Sequence, residues 1–180
     1  SMVNAAMTTQ LALDRFQIDA IVFSGIAGGV DPSLNIGDVV VAGQWGSYLE
    51  SIMARETDGG FAIPPFLDSP FPNYGMIFTS ETTVASDRGQ PESRFWFPVD
   101  EILLQTARGV ADSTELADCN AENACLDRTP QIRVGGNGVS GSAFVDNAGL
   151  REWIFETFDA QVVDMESAAV AQVAWANQVP

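Results

Sequence analysis

The sequence predicts an α/β protein of one domain, a mainly parallel twisted sheet flanked by helices, and three observations predict it. Apolar residues recur at helical spacing in four stretches, short β-branched runs lie between those stretches, and glycine-rich turns sit where the runs end. Strands that alternate with helices in this way join into a parallel sheet through crossover connections. A length of 180 residues suits one domain, which buries roughly 70% of the surface its unfolded chain exposes. No repeat and no second domain is read from the pattern.

Val3, Met7 and Leu11, with Ala6 and Leu13 beside them, set an amphipathic helical period over residues 3 to 15. Residues 18 to 24 (IDAIVFS) form a nearly continuous β-branched and aromatic run, as expected of a strand covered on both faces. It ends in Gly25-Ile26-Ala27-Gly28-Gly29, a turn whose glycines allow backbone to approach a ligand, or simply make the turn. Pro32 and Ser33 begin a loop, Gly37-Asp38 makes a second turn, and residues 38 to 42 (DVVVA) read as another strand.

The pattern then breaks from about residue 44 to 98, where six of the nine prolines and six of the eleven phenylalanines fall after residue 58. Each proline removes a backbone donor, so one long helix or a central strand is excluded there. The segment reads as an aromatic-rich excursion over the sheet, covering a site or a subunit contact, or as an ordered surface loop with its own cluster. Residues 100 to 112 resume the helical period with acids in the first turn. A polar cysteine loop spans residues 114 to 130, and a short strand follows at 131 to 135. Asp146 suits the N-cap of a helix reaching about Phe158, residues 161 to 164 read as a short buried strand, and Glu166 opens a last helix. Both ends read as cut: a strand and turn are expected before Val3, and another strand after Pro180.

Composition narrows the chemistry. There are 24 acidic residues against 8 basic ones, a formal charge of −16, and no histidine. All eight cations are arginine, so lysine is absent too. A Ser/His/Asp or Cys/His nucleophile, His-ligated zinc, a lysine Schiff base and a lysine P-loop are therefore excluded. Such a charge repels a nucleic-acid backbone and an anionic membrane, so no nucleic acid and no membrane is expected as partner. It reads as a solvated acidic surface, as in a salt-adapted source. The longest apolar stretch, Ala20 to Val30, is about half of what a membrane span needs. Cys119 and Cys125, six positions apart, favour a local disulfide over two free thiols. If it forms, the protein is periplasmic or secreted and its signal lies outside this sequence; free thiols would place it in the cytoplasm.

Ligands of parallel α/β sheets bind at the carboxyl ends of strands, and three segments place suitable groups there. These are FSGIAGG at 23 to 29, SGSAF at 140 to 144 and VVDMES at 162 to 167. Asp164 and Glu166 straddle a strand-to-helix junction, where two carboxylates are odd as core filler and can accept backbone N–H groups or sugar hydroxyls. Glu166 is alternatively no more than a helix-start acid.

Together, VNAAMTTQLALDRFQIDAIVFSGIAGGV, IGDVVVA, SGSAFVDN and VVDMESAAVAQVAWANQVP resemble the nucleoside phosphorylase superfamily, specifically methylthioadenosine/S-adenosylhomocysteine nucleosidases and bark storage proteins. The blocks stand in the family's order and cover nearly everything except the aromatic excursion and the cysteine loop. The resemblance implies that Ala27 and Gly28 form a backbone platform beside a nucleoside, that Phe144 stacks on the purine, and that Val145 backbone reads the base edge. Met165 would lie along the ribose and Glu166 would accept its 2′ and 3′ hydroxyls, as the catalytic residue of this chain. Ile26 stands where nucleosidases often have serine, and Ser142 where they often have aspartate.

The implied activity is cleavage of the N-glycosidic bond of a purine nucleoside by water or phosphate. The alternative is a secreted nucleoside-binding or storage protein of the same fold without turnover. The partners are then a purine nucleoside or base and, as in the family, other copies in a homo-oligomer, with the Phe/Pro excursion the expected contact. No metal or organic cofactor is expected, phosphate being a co-substrate if the protein is a phosphorylase. The family's water-positioning glutamate, base-protonating aspartate and phosphate-holding glycine loop would all lie outside residues 1 to 180.

Overall fold

The computed structural model describes residues 1–86 and 89–180. Four helices carry the helical periods: α1 (Met2–Arg15), α2 (Glu101–Ala111), α3 (Ala148–Phe158) and α4 (Ser167–Asn177). The first ten strands are β1 (Gly28–Gly29), β2 (Val39–Val41), β3 (Gln44–Ser47), β4 (Ser51–Met53), β5 (Arg55–Thr57), β6 (Gly60–Ala62), β7 (Ile77–Thr79), β8 (Thr82–Val84), β9 (Glu92–Arg94) and β10 (Trp96–Pro98). Three more follow, β11 (Ile132–Val134), β12 (Asn137–Ser140) and β13 (Ala160–Asp164).

The main sheet has the order β1-β13-β12-β3-β10. Its interior is parallel, with Gly138 of β12 set between Val162 of β13 and Trp45 of β3, and its two edges close antiparallel through β1 and β10. The expected α/β architecture is thus present as a mixed sheet with helices. β2 and β11 pair in parallel as a separate ribbon.

Two expectations need correction. The run at 18 to 24 is not a strand: the sheet reaches this segment only at Gly28–Gly29, and Ile21 N–H donates to the Pro180 carbonyl at 2.7 Å. A continuous apolar run forms a buried strand only where neighbours pair with both edges and layers cover both faces. Here Val22 is 86% exposed, so that condition is not met. Conversely, the start of the 44–98 excursion is an interior strand, β3, bonded to both β12 and β10. Its four residues contain no proline, and Gly46 makes room for the Phe95 ring, since a Cβ there would lie 2.4 Å from it. Pro98 sits on the edge strand, where a missing donor costs least.

The remainder of the excursion is three antiparallel ribbons, β4–β7, β5–β6 and β8–β9. Several of its aromatic residues turn inward, whereas Phe61 and Phe66 stay exposed. Phe71, Phe95 and Trp96 pack with Trp153 and Phe158 of α3, and the Phe95 and Phe158 rings stack 5.1 Å apart. That cluster, with Val139, Ile154 and Val163, is the core on one face of the sheet.

On the other side, α4 packs against β3, β10 and β12 and carries α1 on its back. Gln10 and Asn177 exchange amide hydrogen bonds across the two helices. The half-covered face of α1 is Ala5, Ala6, Thr9 and Leu13, whereas Val3, Met7 and Leu11 stand exposed. Small side chains let two helices approach closely, which decides the face here over apolar bulk.

The turn at Gly37-Asp38 is tied to the end of the cysteine loop. Asp38 accepts from the N–H groups of Asn35 and Gln131, both at 2.9 Å, and from the Arg128 guanidinium. Burial works to raise this carboxyl, but the Gln131 and Asn35 N–H groups and Arg128 outweigh it and hold it below the ordinary aspartate range.

Phe158 is 2% exposed, so Phe158→Ala should cost about 3–5 kcal/mol in urea unfolding. A loss under about 1 kcal/mol would show that the aromatic cluster does not anchor α3. Because the folded-state pKa of Asp38 is lowered, its contribution is present above the ordinary value and lost as pH falls through the folded one. Asp38→Asn should therefore lower the urea midpoint at pH 7, with the gap to wild type closing below about pH 4. A gap that stayed constant with pH would contradict the assignment.

Candidate active site

The parallel register sets Ser140 beside Asp164, and Gly141 N–H donates to the Asp164 carbonyl at 3.1 Å. The SGSAF and VVDMES segments therefore leave the sheet side by side at the carboxyl ends of β12 and β13. On the far edge of β13, antiparallel pairing of Gly28 with Val163 brings Ala27 and Gly28 to the same end. All three segments singled out in the sequence thus meet at one end of the sheet.

Glycine is required at Gly141, where a Cβ would lie 2.5 Å from the Tyr48 ring. At Gly28 a Cβ would meet Val163 at an ordinary 3.5 Å, so packing on β13 does not demand a glycine there.

The helix start differs from expectation. Glu166 holds the N-cap position of α4, but its side chain makes no capping bond. The capping is done by Asp164 and Ser140. Asp164 Oδ1 accepts from the N–H groups of Glu166 (3.3 Å) and Ser167 (3.2 Å) and from the Ser140 hydroxyl. Its Oδ2 accepts from the Ser167 N–H (3.0 Å) and hydroxyl. Ser140, fully buried, in turn accepts the Ala168 N–H at 2.8 Å. The free N–H groups of the first turn are thereby satisfied, and a carboxylate faces the positive end of the helix. No N–H at residues 166 to 168 is left to hold an external anion.

Glu166 is consequently not needed as a cap. Its side chain is 33% exposed and Oε1 accepts from the Ser1 amino group at 2.9 Å. Met165 beside it is half-buried, Phe144 is 87% exposed and outside the core aromatic cluster, and Val145 packs partly against that cluster. Ile26 is 98% exposed. A depression of about 520 Å³ lies elsewhere, between α2 and β11, lined by residues such as Thr114, Leu116 and Ile132.

Sequence reasoning did not single out Ser140 or Ser167. The signal available was the Asp-x-x-Ser spacing of residues 164 to 167, a helix-start pattern whose acid lies two residues before Glu166. At α3 the cap is shifted by one residue: Asn147, not Asp146, caps the helix, its Oδ1 accepting from the Leu150 N–H at 2.8 Å. Asn147 directly precedes the first helical residue, Ala148, and so holds the cap position. Elsewhere, Cys119 and Cys125 are joined as a disulfide, S–S 2.06 Å.

A phosphorylase-superfamily profile matches residues 1–180. The chain belongs to the phosphorylase superfamily. It is 26% identical over 99% of its length to a 5′-methylthioadenosine/S-adenosylhomocysteine nucleosidase of Mycobacterium bovis, covering 62% of that protein. It is 26% identical over 98% of its length to bark storage protein A of Populus deltoides, covering 58% of it. Among solved structures, the Neisseria meningitidis nucleosidase in complex with methylthio-immucillin-A superposes with a TM-score of 0.65 at 23% identity, over 99% of this chain and 60% of that one. The Helicobacter pylori MTAN gives 0.63 at 22% identity, with 99% and 61% coverage. At those identities the structures show the fold, and the resemblance read from the motifs is borne out at family level. The phosphorylase-superfamily chain spans about three fifths of the length of these relatives.

Proposed function

We propose that the intact protein cleaves the N-glycosidic bond of a purine nucleoside, with Glu166 of this chain gripping the ribose hydroxyls. The observation that carries the reading is the division of labour at the α4 start: Asp164 caps the helix, and the partly exposed Glu166 carboxylate makes no capping bond, at the sheet end that Gly28 and the SGSAF segment also reach. Family membership and the nucleosidases among the relatives support it.

When the bond between C1′ and the base nitrogen breaks, its electron pair leaves with the purine and the sugar becomes oxocarbenium-like. A carboxylate accepting from the 2′ and 3′ hydroxyls raises electron density next to that carbon and stabilises the developing positive charge. Phe144 offers an exposed aromatic face on which a purine can stack, and Met165 an apolar surface for the ribose. Ala27 and Gly28 contribute backbone, and Val145 backbone is proposed at the base edge. The relatives that are nucleosidases favour water as the nucleophile, with phosphate the alternative co-substrate. No metal or organic cofactor enters this reaction as proposed. The Cys119–Cys125 disulfide supports maturation in an oxidising compartment, periplasmic or extracellular.

Release of free purine base from nucleosides, followed with and without phosphate, tests the reaction. Glu166→Ala should lower turnover of the intact protein at least about 100-fold. Turnover within about threefold of wild type would remove Glu166 from its role. Binding of nucleosides without any base release would instead establish a non-catalytic binding protein. For the compartment, alkylation before and after reduction should show both cysteines of the secreted protein modified only after reduction. Alkylation of protein taken from cells without reductant would count against an oxidising location.

A further inference from the structure

We propose that Asp164 is the positioning residue for Glu166, holding it through a clamp of Ser140, Ser167 and the first N–H groups of α4. The inference rests on the reading of Glu166 as the ribose-binding carboxylate and assigns what keeps that carboxylate in place. Asp164 is the last residue of β13 and Glu166 stands two positions on, so the intervening backbone has to turn from strand to helix within one residue. Glu166 itself has φ −143° and ψ −35°, outside regular helix or strand geometry, and its own side chain contributes nothing to the turn. What fixes the turn is the Asp164 carboxylate, which receives the Glu166 N–H and both donors of Ser167.

The clamp is anchored from a second strand. The Ser140 hydroxyl donates to Asp164 Oδ1 and accepts the Ala168 N–H at 2.8 Å, with no solvent exposure. One buried hydroxyl therefore joins β12, the Asp164 side chain and the helix. Ser140 is also four residues before Phe144, so the same anchor ties the proposed purine and ribose contacts to a common origin. Charge matters as well as shape. A carboxylate offers only acceptors to these donors, whereas an amide in its place would turn an NH₂ group toward at least one of them.

A helix cap alone would affect stability; a positioning role must also change how the folded protein reads ribose. Equilibrium binding of formycin A and 2′-deoxyformycin A separates the two, because their carbon–carbon glycosidic bond resists cleavage whatever the activity. Wild type should prefer the ribo form, and Glu166→Gln should reduce that preference. Asp164→Asn should reduce it by about tenfold, the scale of one charge-assisted hydrogen bond. Added to Glu166→Gln it should bring little further loss, since the two act as a unit. Should Asp164→Asn fail to fold, Ser140→Ala, which keeps the packing volume, is expected to weaken the preference in the same direction. A folded Asp164→Asn or Ser140→Ala protein that melts earlier but keeps the wild-type preference would overturn the proposal, leaving Asp164 a cap only. Absence of any ribo preference in wild type would instead overturn the reading of Glu166, and this inference with it.

Discussion

Everything in this fold is hung on β12, among the described residues the one strand whose two edges are both engaged in parallel ladders, with β3 on one side and β13 on the other. Parallel neighbours cannot be joined by a tight turn, so the chain must leave the sheet and return over a covering layer. Between β12 and β13 that layer is α3, which presses Trp153, Ile154 and Phe158 onto the sheet. Between β3 and β12 it is the long excursion, whose aromatic rings meet those of α3. The aromatic cluster is therefore the consequence of the ladder: two connections land on one face of a narrow sheet, and rings fill the space between them. The close approach depends on what is missing from side chains, since a Cβ at Gly138 would lie 2.5 Å from the Trp45 ring.

The parallel ladder also makes the site. Parallel strands end together, so Ser140 and Asp164 are placed side by side without any special interaction to recruit them. In an antiparallel pair one strand would end where the other begins, and the two motifs would lie at opposite ends of the sheet. The antiparallel edge β1 uses that property in reverse: it starts at Gly28, beside the end of β13, so Ala27 and Gly28 arrive at the same place from the other direction.

What was legible in the sequence follows from this physics. Helical periods report burial of one helix face and were readable for α2 and α3, and the extents of α1 and α4 were readable too. Which face of α1 is covered was not, because close packing on α4 selects small residues such as Ala5 and Ala6 rather than the largest apolar ones. The run at residues 18 to 24 carried the composition of a doubly covered strand, and composition records the covering, not whether these 180 residues provide it. β3 escaped notice for the opposite reason: four residues, one of them glycine, show no period at all, and only pairing with β12 and β10 makes them a strand. Motif order carried the family, because GIAGG, SGSAF and VVDMES must share one end of the sheet to be useful. Spacing did not carry the capping residues, since the N–H groups of one helical turn are shared between a carboxylate three positions before the helix and a serine 24 positions away from that carboxylate on another strand.

A chain without histidine or lysine must build polar function from carboxylates, hydroxyls, amides, guanidinium groups and backbone, and carboxylates and hydroxyls make up the α4 junction. A single carboxylate at a helix start is drawn to the nearby N–H groups and the positive helix end, and a carboxylate so engaged has fewer acceptor sites left for a substrate. Two acids two residues apart resolve the conflict. The inner one, Asp164, takes the N–H groups and is held by a buried serine; the outer one, Glu166, is relieved of capping, and its Oε1 meets the Ser1 amino group instead. Removing one acid is not equivalent to removing the other. Without Asp164, the helix donors would compete for Glu166, and the outward carboxylate would become a cap. Without Glu166, the junction would keep its shape and lose its reach. The pairing of acids that looked odd as core filler in the sequence is therefore the arrangement that lets one of them remain available.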